Sequence, residues 1–339
     1  MHIDRGVGLR LDKKLATGLL ALALLAVCVS ALAADKVRFN LAWLPQGSTS
    51  GVLVAIAKGY YSEAGLDVST TRGYGGQRTV NEIDQGLFEF GYGDPISIML
   101  NRAQGGKTVM VGAINTRWPA ALCYLEKPNR KIKSIADLKG MSIGGGAASP
   151  LQNLVPAWLQ VNKLPADYVK LLRLDPAVIN TTFLDGSIDL AECWEGANKP
   201  VLEQLAEKNG MKLGALRYRD YNLNLYGNGI VTTEKLIAAN PDLVKRFVQA
   251  TYRGYEFQSK NPQEAVELVA RQQKLIDKKV LRQQIEETSQ LMVDPEATGK
   301  KTGWMRVDRM QYTVGFVKKA FNVTDSVKTS DIYTNRFVE

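Results

Sequence analysis

The feature that most narrows the fold is a strand–helix–strand rhythm that runs through residues 37–113 and begins again after residue 131. Residues 37–41 alternate apolar and polar, as a half-buried strand does. Residues 50–61 read as a helix with Val52, Ala55 and Ile56 on one face. Strand signals follow at 65–68, 88–91 and 109–113, with helices at 76–84 and 95–104 between them. Short links between such elements predict a mainly parallel sheet with helices on its faces. The second round reads as a short helix at 134–138, a strand at 141–143, and a loop of Gly144, Gly145 and Gly146 leading through Ser149-Pro150 into a helix at 151–162. Strands at 169–174 and 189–193 and helices at 178–184 and 197–209 complete it. The last third is mostly helical. Asn240-Pro241 and Asn261-Pro262 each pair an N-cap residue with proline at the first helical position, and 278–291 and 306–320 keep helical periodicity. A chain of 339 residues, 45% hydrophobic, has the length and apolar content for two such α/β units. Their strand ends would frame a ligand crevice, with the chain passing between units near 123–125 and again near 226–231.

Histidine narrows the chemistry. The sequence holds one, His2, ahead of a segment that reads as a removable leader. Arg5, Arg10, Lys13 and Lys14 form a basic head, residues 15–29 an uncharged apolar run, and Ala31 and Ala33 the small residues of a cleavage site. A membrane anchor is the rival reading, but the run is short for a span and no basic cluster follows it. A lipoprotein anchored through Cys28 is a second rival; Val27 is bulky where a small residue is wanted. Cleavage after Ala33 leaves a chain without histidine. That excludes Ser-His and Cys-His nucleophile pairs and histidine-ligated metals. It also takes four basic and two acidic residues from a net charge of +9. The basic balance suits anionic ligands or a mixed solvated surface, and no Lys/Arg stripe marks a nucleic-acid site. Cys123 and Cys193 remain. They can pair in an oxidising compartment, but each lies in an apolar strand-like context, which favours two buried free thiols.

Several segments together resemble one family. Phe39-Asn40-Leu41-Ala42-Trp43-Leu44-Pro45 precedes Gly59-Tyr60-Tyr61-Ser62-Glu63-Ala64-Gly65-Leu66-Asp67-Val68. Then come Gly86-Leu87-Phe88-Glu89-Phe90-Gly91-Tyr92-Gly93-Asp94, Ile132-Lys133-Ser134-Ile135-Ala136-Asp137-Leu138-Lys139-Gly140, and Asp185-Gly186-Ser187-Ile188-Asp189-Leu190-Ala191-Glu192-Cys193-Trp194-Glu195. In this order they resemble periplasmic solute-binding proteins of the nitrate, sulfonate, taurine and thiamine-pyrimidine-precursor group. The resemblance implies an α/β, two-lobe, type II periplasmic-binding-protein fold with the ligand in the inter-lobe cleft. Residues 1–33 would be the signal peptide, 34–123 plus 228–339 the first lobe and 124–227 the second. It implies a periplasmic, monomeric, non-enzymatic importer component that closes on a small organic solute and delivers it to an ABC permease, without cofactor or metal. A partner of a membrane sensor is the alternative. An enzyme like the fungal pyrimidine synthases of the same fold fits less well, because those supply a histidine and a Cys-rich segment.

Ten residues are candidates for the solute. Trp43 ends the first strand, where an aromatic can stack on a planar ligand or pack into the core. Gly76 and Gln77, after Gly75, open a helix whose free N–H groups can hold an anion, or simply form a turn. Gly146 and Ser149 belong to the glycine-rich loop. It lacks the Gly-Lys-Ser/Thr ending of a nucleotide loop, and Ser149-Pro150 also fits a plain helix start. Asp94, before Pro95, fits a cap first and a partner of a cationic ligand group second. Trp194 and Glu195 lie at a strand end, Glu195 facing a ligand amine or a surface lysine. The family's pyrimidine-precursor binders stack a ring on the counterpart of Tyr226 and carry glutamate where Asn228 stands. Asparagine there removes an anionic acceptor and weighs against an aminopyrimidine. Trp118, beside Pro119, fits rim or core.

Overall fold

The computed structural model describes residues 34–339, apart from 129, 130, 147, 148, 176 and 325. The leader, with Cys28, Ala31 and Ala33, and the middle of the glycine-rich loop lie outside the described residues. The first sheet takes strands β1 (Asp35–Asn40), β2 (Leu66–Thr71), β3 (Phe90–Gly93) and β4 (Thr108–Ala113). Between them lie helices α1 (Ser50–Ala57), α2 (Tyr60–Glu63), α3 (Gly76–Asp84) and α4 (Pro95–Ala103). The second sheet takes β5 (Ala120–Leu125), β6 (Ser142–Gly146), β7 (Lys170–Leu174), β8 (Leu190–Trp194) and β9 (Leu213–Arg217), with α5 (Leu151–Val161), α6 (Ile179–Leu184) and α7 (Asn198–Lys208) among them. The chain returns through β10 (Gly229–Thr233) and ends in α8 (Glu234–Ala239), α9 (Pro241–Lys260), α10 (Pro262–Gln272), α11 (Lys278–Met292), α12 (Val307–Phe321) and α13 (Thr329–Ile332). No helix among the described residues is long and apolar enough to cross a membrane.

The sheet orders are β2-β1-β3-β10-β4 and β7-β6-β8-β5-β9. Both are mixed rather than simply parallel. β1 pairs parallel with β2 and β3, and β6 with β7 and β8, as the rhythm predicts. One strand in each runs the other way: β10 lies antiparallel between β3 and β4, and β5 between β8 and β9. Each reversed strand is the first to enter its sheet after the chain has passed over from the other. The first passage is therefore residues 114–119, upstream of the expected 123–125, because β5 is already paired in the second sheet. The return occupies 218–228, and residues 229–231 belong to β10 rather than to the link.

Three further expectations change for local reasons. The helix expected over 50–61 breaks into α1 and α2 at Gly59, whose φ of 74° is left-handed. Gly144, Gly145 and Gly146 are the end of strand β6, not loop. A Cβ on Gly144 would stand 2.5 Å from Ile188 Cδ1, and one on Gly145 2.8 Å from Leu151 Cδ2, so the packing on the two faces demands glycine. The free thiols are overturned: Cys123 and Cys193 form a disulfide. β5 and β8 pair so that Cys123 faces Ala191 and Cys193 faces Ala121, which leaves the two Cα atoms 5.9 Å apart beside neighbouring strands.

The first sheet's core centres on Phe247 of α9, stacked with Phe90, Tyr61 and Phe39 at centroid distances of 4.0, 5.3 and 5.9 Å. The second sheet's core holds the disulfide with Phe183, Ile188 and Leu202 on one face, and Trp158, Leu154 and Val155 of α5 on the other. Helix α12 packs against both α4 and α5, so one apolar cluster runs from the first unit to the second.

Candidate functional site

At the C-terminal edge of the first sheet, one buried side chain organises the loops. Asn40, at the end of β1, accepts from Ala42 N–H at 2.9 Å and from Thr79 Oγ1 of α3 at 3.1 Å, and its amide donates to Glu82 at 2.8 Å. This holds Ala42 in a left-handed conformation, φ 60°, and turns the next residue out of the core. Trp43 is accordingly 40% exposed, and Ala42 accepts from Gly75 N–H at 2.7 Å. Gly76 opens α3 against Asp94, where a Cβ would stand 2.7 Å from Asp94 Oδ2. Gln77 donates to Asn81 at 3.2 Å, while its buried Oε1 has no partner. Trp43, Gly76, Gln77 and Asp94 are thus gathered at one edge, beside the exposed ring of Tyr74. Asp94 caps α4, accepting from Ser97 N–H and Ser97 Oγ, both at 2.9 Å. Burial nevertheless holds its carboxyl above the usual range.

The corresponding edge of the second sheet is built around a residue the sequence reading passed over. Glu192 lies in β8, whose register sets it opposite Leu122 of β5, with Trp194 two residues on, on the same face. Ser149 donates from Oγ to Glu192 Oε2 at 2.5 Å and accepts from Leu151 N–H at 3.1 Å. It is therefore a helix-start residue and a carboxyl partner at once. Gly146 accepts from Ser149 N–H at 2.9 Å. Burial raises the Glu192 pKa to about 7, against the opposing pull of Ser149 and Trp194. The only sequence signal for Glu192 was an acid at an alternating position in an apolar strand.

The remaining candidates separate. Trp194 is half-buried, its ring tilted against the buried ring of Trp118 at 5.3 Å. Glu195 is buried and its carboxylate is taken by two guanidinium groups, Arg217 Nε at 2.7 Å and Arg219 Nη1, which hold its pKa low. A ligand amine would have to displace an arginine to reach it. Tyr226 is fully buried rather than presenting a ring face to the crevice. Its hydroxyl accepts from Arg306 N–H at 2.6 Å, Arg309 lies over its ring, and burial raises its pKa to about 12. Asn228 contributes its backbone carbonyl to Ile114 and Asn115 N–H at 3.0 and 2.8 Å, which ties the two passages together.

The two edges meet. Ser48 N–H, in the loop after β1, donates to Gly196 O, in the loop after β8, at 2.9 Å. Helix α11 braces this contact: Gln284 accepts from Gly47 N–H at 2.9 Å, and Glu287 accepts from Gly196 N–H and from Lys199, both at 2.7 Å.

Comparison with known proteins agrees with this fold. Residues 46–265 match the NMT1/THI5-like family. The riboflavin-binding protein RibY of Chloroflexus aurantiacus is 27% identical over 314 residues, 90% of this chain and 86% of RibY. The 4-amino-5-hydroxymethyl-2-methylpyrimidine phosphate synthase of Candida albicans is 23% identical over 245 residues, 69% of this chain and 70% of the synthase. Among solved structures, the periplasmic aliphatic sulphonate binding protein SsuA of Escherichia coli superposes with a TM-score of 0.67 at 17% identity, covering 90% of this chain and 99% of SsuA. The fold is that of periplasmic binding proteins.

Proposed function

Because the chain belongs to the NMT1/THI5-like family, we propose that it is the exported substrate-binding component of an ABC importer. It closes on a small organic solute and hands it to a permease. The observation that carries this reading is the meeting of two strand-end edges, each furnished with an aromatic and a carboxyl: Trp43 with Asp94, and Trp194 with Glu192. A crevice at the carboxyl ends of parallel strands is the usual ligand position in α/β sheets. With two passages joining the units, a ligand touched from both sides favours the closed arrangement.

The solute is a nitrogen heteroaromatic rather than a sulfonate or nitrate. Asp94 and Glu192 are half-buried and, among the described residues, have no cation partner, so neither edge offers a permanent anion a counter-charge. A ring that donates N–H to such carboxyls and stacks on tryptophan suits both edges. Glu192 supplies the acidic acceptor that Asn228 cannot. The riboflavin-binding relative supports a ring system, whereas likeness to SsuA speaks for the fold alone. A synthase role is disfavoured by the absence of histidine after residue 2.

Native mass spectrometry of the purified protein, then calorimetry with riboflavin, the aminopyrimidine 4-amino-5-hydroxymethyl-2-methylpyrimidine and taurine, tests this. Expected is a retained or titrated heteroaromatic that leaves the protein unchanged. Tight taurine binding would overturn the solute class, and chemical turnover of the bound molecule would overturn the binding role.

A further inference from the structure

Resting on the reading of the cleft as a solute site, we propose that Tyr218 Oη and Trp118 Nε1 are solute-binding donors on the floor of that site. They would supply two hydrogen bonds to acceptor atoms on the edge of the bound heterocycle. Buried polar side-chain atoms almost always have a partner. Among the described residues, those without one concentrate where the chain passes between the sheets: Arg117 Nε and Trp118 Nε1 on residues 114–119, and Tyr218 Oη and Asn224 Oδ1 on 218–228. Tyr218 is 0% and Trp118 1% exposed, so neither group meets water in this arrangement, and a solute reaches them only when the two sheets part.

Both lie just beyond the ends of strands on one side of β8, which carries Glu192: Trp118 ahead of β5, its neighbour, and Tyr218 after β9, the next in order. Leu216 and Glu192 each pair with Leu122, so they share a face, and Tyr218 follows Leu216 by two residues. Ala120 pairs with Trp194, and Trp118 precedes Ala120 by two. Side-chain contacts agree. The Trp118 ring lies 5.3 Å from the Trp194 ring and the Tyr218 ring stands edge-on to Trp158 of α5 at 4.7 Å; burial first, and the Glu192 charge second, push the Tyr218 hydroxyl's pKa up. Arg219 Nη1 donates to Trp118 O at 3.1 Å, which holds the two passages side by side. Two orphaned donors therefore lie among the aromatic rings next to β8 and α5, on the side of the second sheet where Ser149 holds the Glu192 carboxyl. The matching partner is the edge of a nitrogen heterocycle: ring nitrogens or a carbonyl toward the tyrosine and tryptophan, and an N–H toward Glu192.

A purely structural hydroxyl would stabilise the fold by its bond. An orphaned one does not, and its removal relieves a desolvated group. Tyr218→Phe separates these cases. The unliganded variant is expected to keep or raise its denaturation midpoint, while its affinity falls about tenfold, the usual loss for one neutral hydrogen bond. Affinity is read by calorimetry with whichever solute native mass spectrometry finds on the parent protein, or else with riboflavin and 4-amino-5-hydroxymethyl-2-methylpyrimidine. Trp118→Phe, which keeps a ring and removes the N–H, is expected to act in the same direction on affinity. A Tyr218→Phe variant that binds as the parent does, or that is less stable without ligand, overturns the proposal and leaves the importer reading standing. A parent protein that retains no solute and binds neither probe overturns the importer reading, and the proposal with it.

Discussion

Replacing Glu192 by glutamine should change how the stability of the protein responds to pH. The carboxyl sits half-buried beneath the start of α5 with Ser149 on one oxygen, and burial moves its pKa from the ordinary 4.5 to about 7. In the unfolded chain it titrates at the ordinary value. Between the two values the native protein holds a proton that the unfolded chain has already released. Stability therefore falls as pH rises through that window and is level above it. Each pH unit of displacement corresponds to about 1.4 kcal/mol, so the full penalty by pH 8 is roughly 3 kcal/mol. Water at the rim of a half-buried carboxyl reduces this to about 2 kcal/mol. Glutamine keeps the shape and an acceptor for Ser149 while removing the titration. Chemical denaturation of the unliganded protein at pH 5 and pH 8 reads the difference. The advantage of the variant over the parent should grow by about 2 kcal/mol between pH 5 and pH 8. Parallel curves would mean that Glu192 is ionised and well solvated, and the assignment of a buried carboxyl to the second edge would fail.

Other perturbations have equally definite outcomes. The disulfide closes a separation of 70 residues, so replacing Cys123 and Cys193 by alanine should lower stability by about 4 kcal/mol in denaturant titrations. Trp43→Ala should fold normally, since the ring is 40% exposed, yet weaken solute binding by roughly ten- to a hundredfold in calorimetry. Gly144→Ala drives a methyl to 2.5 Å from Ile188 Cδ1 and should cost about 1–3 kcal/mol by thermal denaturation; a neutral result would mean that β6 yields easily. Glu287→Gln weakens the brace that joins α11 to Gly196 N–H and Lys199. Small-angle scattering of the unliganded protein should then show a larger radius of gyration, and an unchanged radius would remove Glu287 from the closure contact.

Local order was legible where periodicity and punctuation agree. Gly76–Asp84 has the expected bounds of α3, Asp94 caps α4 ahead of Pro95, and Asn240 caps α9 through Leu243 N–H. Residues three or four apart carry such signals, and the chain states them directly. Gly76 was legible as a helix-start residue for the same reason, whereas Trp43, expected to end the first strand, lies three residues beyond the end of β1. The sequence by itself thus determined two rounds of strand and helix, and a set of candidate residues at their ends.

What the tertiary structure alone decided depends on which strand lies beside which. Antiparallel pairing of β5 with β8 brought Cys123 to Cys193 across 70 residues, and no local pattern encodes that register. Insertion of β5 and β10 as reversed strands moved the passages between the sheets. It also buried Tyr226 and gave Glu195 to Arg217 and Arg219. Conversely, Glu192 read as one acid among many until the register set it on the face of Trp194 with Ser149 on its carboxyl and, among the described residues, no ion-pair partner. Burial and partner are properties of the packed arrangement. They turn residue types into a site only once strands distant in sequence have become neighbours.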